Sequence, residues 1–340
     1  MNENDARQPP ELAIQVSPDT PGLGSDPALR QIFFGPNGLR AGWRLLTFTA
    51  IICFLFILLG VALSLLSVAG GNRAVEVSML TPSGLGISEG TIFLLACIAT
   101  AVMARVERRK FGEYGLPIRS ALGKNFWAGT FAGFVAISGT LLAIYSLHGF
   151  RITGLAIHGS TIPLATAAWA VTSLTVGLSE EFAFRGYAQF TLTTGMGFWP
   201  SAFLSSVAFG LVHVGNKGET KFGLVSVVLF GLLFCLFLRR TGNLWWAVGF
   251  HAGWDWGQTF FYGVPDSGVA PYHNLFGSVF QGSAWLTGGT VGPEASVFTP
   301  IALLIVAVIF SRRYREVRYS PSKPNVVAEK PEAVTALSGL

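Results

Sequence analysis

Three short stretches of the sequence place acidic and imidazole side chains inside or at the ends of apolar blocks. The first stretch contains Glu180, Glu181 and Arg185, the second contains Phe209 and His213, and the third contains His251 and Asp255. Ionisable side chains are costly at membrane depth, so their presence there indicates a functional site.

Helical spacing separates the roles of these side chains. Glu181 and Arg185 are four residues apart and share a helix face, so they can form an ion pair. His251 and Asp255 are also four residues apart, which places Asp255 beside His251. Glu180 is rotated by about 100° from Glu181, so the two carboxylates can have different roles.

Two carboxylates, two imidazoles and a further polar group are the groups that peptide hydrolysis requires. The reaction needs a base for water, hydrogen-bond donors for the oxyanion and an acid for the leaving amine. Two histidines and one or two glutamates can also hold a divalent metal such as zinc, with an open position for water. Other intramembrane chemistries have weaker support, because the sequence has neither a His-Glu-x-x-His nor a Gly-x-Gly-Asp motif.

The composition indicates which elements carry these residues. Hydrophobic residues make up 51% of the chain and charged residues 12%, whereas a soluble domain has about a quarter charged residues. The apolar residues form blocks of about 20, the length that crosses a bilayer. We therefore predict an all-α, polytopic membrane helical bundle of about eight transmembrane helices. The predicted spans are 43–68, 86–105, 126–147, 162–182, 198–214, 222–238, 243–262 and 297–311.

The basic residues flank the apolar blocks and predict the orientation of the chain. Lys and Arg follow the second, sixth and last spans, while the loop 263–296 has none. This pattern places both termini in the cytoplasm, with an expected location in a bacterial inner membrane. It also favours the bilayer over nucleic acid as the partner of the positive charge.

The predicted organisation has four parts. Residues 1–42 are a cytoplasmic N-terminal tail, and 43–158 form the N-terminal transmembrane helices. Residues 159–262 are the catalytic core, and 263–340 contain an outer loop, the last span and a cytoplasmic tail.

The three motifs, in this order and spacing, resemble the CPBP family. This family includes the type II CAAX prenyl proteases and the Abi bacteriocin-processing or immunity proteins. Its pattern is Glu-Glu-x-x-x-Arg, then Phe-x-x-x-His, then His-x-x-x-Asn or Asp, and the match covers about residues 160–260. Residues 111–117 also resemble a short connector that these proteins carry upstream.

The resemblance implies a role for each matched residue. Glu180 would activate water with the help of His213. His251 and Asp255 would bind the oxyanion. In a metalloprotease they would instead complete the ligand set, for which Glu180, His213 and His251 are the candidate metal ligands. Glu181, Arg185 and Phe209 would be structural. Asp255 stands where prenyl proteases often have Asn, which favours the Abi-type branch and argues against prenylated substrates.

The resulting prediction is an intramembrane endopeptidase that acts on a membrane-associated protein or peptide, with a divalent metal such as zinc as the candidate cofactor. One alternative is a catalytically inactive immunity or scaffold protein that keeps the same fold. A second is a proton-coupled transporter, since buried Glu and His can relay protons. The absence of internal sequence repeats disfavours the transporter.

Overall fold

The structure is a computed structural model that describes residues 31–35, 38–69 and 81–320. The described part is mostly helical, which confirms the predicted all-α membrane bundle. Its α-helices are α1 (Ala41–Ala69), α2 (Pro82–Val106), α3 (Lys124–Ser146), α4 (Thr161–Arg185), α5 (Tyr187–Met196), α6 (Phe198–Val212), α7 (Lys221–Thr241), α8 (Trp245–Asp255), α9 (Ala284–Thr287) and α10 (Phe298–Arg313). The predicted tails lie outside the described residues up to residue 30 and from residue 321 onward.

Six helical segments of the described chain are long and apolar enough to cross a membrane by length and composition. They are Ala41–Val68, Pro82–Val106, Lys124–Ser146, Thr161–Met196, Phe198–Gly215 and Lys221–Thr241. The other two predicted spans are also helical, but α8 has 11 residues before a π-helical segment at Trp256–Phe261, and α10 has 16. An integral membrane protein is therefore supported, while the count of eight spans is not confirmed.

Two small antiparallel sheets accompany the helices. Strand β1 (Phe34–Gly35) pairs with β2 (Gly38–Leu39), and β3 (Phe150–Leu155) pairs with β4 (Phe276–Phe280). The second sheet joins the α3–α4 connection to the segment that follows α8. It thereby ties the middle of the loop 263–296 to the α3–α4 connection.

The loop 263–296 packs back onto the helices. Val264, Val291 and Ala295 are buried, and a 3₁₀ turn at Pro293–Ala295 leads into α10. Burial of apolar side chains holds this loop against the bundle. The loop is therefore close enough to contribute side chains to the helix interior.

The connector 111–117 anchors the start of α8. The carbonyl oxygen of Gly115 accepts a hydrogen bond from Leu244 N at 2.8 Å. The carbonyl oxygen of Pro117 accepts one from Trp245 Nε1 at 3.1 Å. These two bonds define where α8 begins, six residues before His251.

Glycine pairs allow α3 and α8 to pack backbone against backbone. Gly129 and Gly133 on α3 face Gly249 and Gly253 on α8, and a Cβ added at any of the four would come within 3.0 Å of backbone atoms on the facing helix. Such Gly-x-x-x-Gly pairs are typical of close helix packing in membranes. The contact positions α8, which carries His251 between its two glycines.

A single glycine brings α4 close to α8. A Cβ on Gly177 would lie 2.9 Å from the carbonyl oxygen of Val248 and 3.4 Å from His251 Cβ. Because the position has no side chain, the end of α4 can approach His251. Glu180 and Glu181 follow on the next turn of that helix.

Candidate active site

His251 is the centre of a group of carboxylates at the α4–α8 contact. Its Nδ1 lies 3.0 Å from Glu181 Oε1. Its Nε2 lies 3.5 Å from Glu180 Oε2 and 3.6 Å from Asp255 Oδ2. The structure therefore brings together the predicted residues of the first and third motifs.

The tautomer of His251 follows from its partner on the Nδ1 side. Glu181 Oε1 also accepts a hydrogen bond from Arg185 Nη1, so the same oxygen acts as an acceptor toward His251 and Nδ1 carries the proton. This leaves Nε2 directed between Glu180 and Asp255. Glu181 thus orients the imidazole, a role that the sequence analysis did not assign to it.

Glu181 and Arg185 form the ion pair that their spacing predicts. Arg185 Nη1 lies 3.3 Å from Glu181 Oε1, and both side chains are fully buried. The Arg185 guanidinium also lies over the ring of Phe209, 4.2 Å from its centroid. The pair balances a buried charge behind the site, and Phe209 supports it by a cation–π contact.

His213 stands at the end of α6 on the other side of the same cavity. Its Nδ1 lies 2.8 Å from the carbonyl oxygen of Phe209, and its ring packs edge-on against the Phe209 ring, 4.6 Å between centroids. A carbonyl only accepts hydrogen bonds, so Nδ1 carries the proton and the neutral ring presents Nε2 as an acceptor. His213 can therefore bind a water molecule or assist a base.

One cavity of about 930 Å³ is lined by all four residues proposed for catalysis. They are Glu180, His213, His251 and Asp255. Side chains from α1 and α5, including Phe48, Ile52 and Leu192, form an apolar part of the wall. The cavity therefore combines polar chemistry with surface suited to an apolar substrate segment.

Three further carboxylic acids line this cavity, and none of them belongs to the three sequence motifs. Glu89 comes from α2, and Asp266 and Glu294 come from the loop 263–296. Thr259 Oγ1 donates to Asp266 Oδ2 at 2.7 Å, and Ser267 donates to Glu294 Oε2 through its backbone N at 3.1 Å and its hydroxyl at 3.0 Å.

Burial raises the pKa of both loop carboxyl groups above their ordinary values. For Glu294, the nearby Asp266 raises the pKa further, because two like charges at close range are unfavourable. Burial therefore shifts the balance of both groups from the carboxylate toward the neutral acid.

A metal ion needs ligand atoms from several residues close to one another. In the described part of the chain, one group has its ligand atoms all within 4.8 Å of one another, and it is Asp255, Asp266 and Glu294. Zinc prefers nitrogen and sulfur ligands, so this oxygen-only group differs from the predicted zinc site. Metal assistance stays a prediction.

The segment that contains the three motifs is similar to a known protein family. Residues 161–257 match the family model described as Type II CAAX prenyl endopeptidase Rce1-like. The matched segment begins at α4 and ends just after α8, so it contains all three motifs. No curated protein matches the chain.

Proposed function

We propose that this protein is an intramembrane endopeptidase, because residues 161–257 match the model of the type II CAAX prenyl endopeptidases. It hydrolyses a peptide bond of a membrane-associated protein or peptide with water activated by Glu180. One observation carries the proposal: Nε2 of His251 is directed between Glu180 and Asp255, at 3.5 and 3.6 Å, on the wall of a large cavity.

Glu180 is the general base. Its side chain is 24% exposed, so cavity water can reach the carboxylate. Glu180 takes a proton from the water as the water oxygen attacks the carbonyl carbon of the scissile bond. The same carboxyl group then returns the proton to the leaving nitrogen as the carbon–nitrogen bond breaks.

His213 assists this base. Its Nδ1 donates a hydrogen bond to the carbonyl oxygen of Phe209, so its Nε2 can accept a hydrogen bond from the attacking water. A water molecule held by two acceptors has its lone pairs directed toward the substrate carbonyl.

His251 stabilises the oxyanion. When the ring is protonated, Nδ1 donates to Glu181 and Nε2 donates to the oxygen on which negative charge develops. Asp255 is a poor oxyanion partner in its ionised form because the two charges repel. We assign it the role of balancing and orienting the imidazolium, as a positioning residue 3.6 Å from Nε2.

Cleavage of a reporter peptide by purified protein tests the proposal. Wild type in lipid nanodiscs should cleave a membrane-anchored reporter, and Glu180→Ala should abolish cleavage without changing thermal unfolding. Glu316→Ala is a matched control, since Glu316 is exposed and, among the described residues, pairs only with Arg318. Equal cleavage by wild type and Glu180→Ala would refute the role of Glu180.

The proposal includes a bacterial inner membrane location with both termini cytoplasmic. Arg239 and Arg240 at the end of α7, and Arg312 and Arg313 at the end of α10, support this orientation. A membrane-impermeant thiol reagent should then label a cysteine introduced near residue 320 only after the cytoplasmic face is opened. Labelling of that cysteine in intact cells would contradict the cytoplasmic location of the C-terminus.

A further inference from the structure

Glu89 lies on the cavity wall but outside the matched core. It belongs to α2, which packs closely on α4. A Cβ added at Gly86 would lie 3.3 Å from Thr172 Oγ1, and one at Gly90 would lie 3.6 Å from Thr175 Cγ2. These small residues bring α2 against α4 and place Glu89 near the catalytic end of that helix.

The cavity wall has an excess of acidic groups. Five carboxylic acids line it, and no Lys or Arg is found among its lining residues in the described chain. They are Glu89, Glu180, Asp255, Asp266 and Glu294. His251 is shared by three other carboxylates, and Glu89 forms no ion pair of its own with any described residue.

The hydroxyl of Ser179 is a second polar group without a satisfied partner beside Glu89. Ser179 is fully buried and lines the cavity. Its Oγ lies close to Glu89, yet within the described residues it makes no hydrogen bond of normal geometry. A buried hydroxyl is normally hydrogen-bonded, so a donor group of a ligand in the cavity would satisfy Ser179 Oγ together with the Glu89 carboxyl group.

Helix α1 contributes an apolar part of the cavity wall. Phe48, Ile52 and Phe56 of α1 line the cavity, and other side chains of α1 are exposed on its outer surface. A ligand in this cavity therefore meets an apolar surface on one side and carboxylates on the other.

We propose that Glu89 and Ser179 bind a basic side chain of the substrate peptide, next to the bond that is cleaved. This inference rests on the proposed function, and it specifies a substrate with a Lys or Arg flanked by apolar residues. The ammonium or guanidinium group donates hydrogen bonds to the Glu89 carboxylate and to the Ser179 oxygen. Glu89 is a specificity-determining residue in this account.

Binding of two matched peptides tests the inference independently of cleavage. The peptides are identical and membrane-anchored, except for Lys or Gln beside the scissile bond. Their Kd is measured on full-length protein in nanodiscs, for wild type, Glu89→Gln, Ser179→Ala and the control Glu316→Gln. Wild type and control should bind the Lys peptide roughly tenfold more tightly. Glu89→Gln should remove this preference by weakening the Lys peptide alone.

Charge reversal provides a second variant. Glu89→Lys should favour a peptide with Glu at the tested position over the Lys peptide, a result that a purely structural role would not give. In cleavage assays the same preference should appear mainly in KM, because the contact lies beside the reacting atoms.

Each alternative outcome has a defined meaning. Equal binding of the two peptides by wild type, or equal weakening of both by Glu89→Gln, would overturn the inference. A preference that disappears on chelation but survives Glu89→Gln would assign the carboxylates to a metal ion and would also overturn it. A retained binding preference without cleavage would contradict the proposed hydrolysis and leave this binding site supported.

Discussion

Replacing Gly253 by alanine tests the helix contact that positions the candidate site. Gly253 lies between His251 and Asp255 on α8, and an added Cβ would be 2.1 Å from the carbonyl oxygen of Thr130 on α3. Ordinary contacts begin near 3.4 Å, so the two backbones must separate by about 1.3 Å. Backbone atoms cannot rotate away as a side chain can, so α8 itself must move.

The expected effect is larger on activity than on stability. Overpacking of this kind costs about 1–3 kcal/mol of unfolding free energy. The shift also moves His251 relative to Glu181, whose hydrogen bond is 3.0 Å in the native arrangement. A misplacement on the order of 1 Å lowers a catalytic rate by about 10²-fold, so we expect a loss of roughly tenfold to a hundredfold in kcat.

Initial rates of reporter cleavage and thermal unfolding would be measured in parallel on the purified variant. Gly139→Ala is the matched control, because it changes the same residue type on α3 at a position where an added Cβ meets nothing within 4 Å. Gly253→Val should be worse than Gly253→Ala. Native activity in Gly253→Ala, with an unchanged Tm, would refute the close α3–α8 packing and its role in positioning His251.

Other substitutions probe the charge balance of the site. Glu181→Gln should lower the unfolding free energy by about 3–5 kcal/mol, because it leaves the fully buried Arg185 without its counter-charge; chemical denaturation checks this, and a loss below about 1 kcal/mol would contradict it. Gly231→Ala should also destabilise the fold, since an added Cβ would lie 2.7 Å from Arg185 Nη2, whereas an unchanged Tm would show that Arg185 can move freely. Burial raises the pKa values of Asp266 and Glu294. Their contribution to stability is therefore complete below the ordinary carboxyl pKa of about 4, and it is lost as pH rises through the raised pKa values, so that Tm declines with pH. Asp266→Asn should make this decline less steep, and an equally steep decline in the variant would contradict the prediction.

The residues with the clearest chemistry could be predicted from the sequence. Glu180, His213, His251 and Asp255 are ionisable or polar groups within or at the ends of apolar blocks, and such groups are rare enough to be informative. The i, i+4 spacing also predicted the Glu181–Arg185 pair. The hydrogen bond from His251 to Glu181 could not be predicted in this way, because it depends on how two helices cross.

The remaining cavity residues required tertiary information. Asp266 and Glu294 belong to a loop whose local sequence does not indicate that it returns to the bundle. Glu89 did carry a signal, as a single acidic residue near the start of an apolar block, but it belongs to no motif. The Gly-x-x-x-Gly spacings at Gly129 and Gly249 can be found in the sequence, but the sequence does not say that these two helices face each other.

Helix lengths account for the difference in the number of membrane spans. Hydropathy predicted a seventh span over 243–262, and the structure has there an α-helix of 11 residues, Trp245–Asp255, followed directly by the π-helical segment Trp256–Phe261. Most side chains of α8 are buried within the bundle. An apolar block can therefore indicate burial in protein as well as contact with lipid.

A double-mutant cycle between Glu180 and His251 tests the central claim most directly, since the claim is that the two side chains act on one water molecule and one carbonyl group. The kcat/KM for reporter cleavage would be measured for wild type, Glu180→Gln, His251→Gln and the double variant. Each single change should cost about 10²–10⁴-fold, and the double variant should be no more than about threefold slower than the slower single variant. Losses that multiply in the double variant would mean that the two residues act independently, and would contradict a shared site.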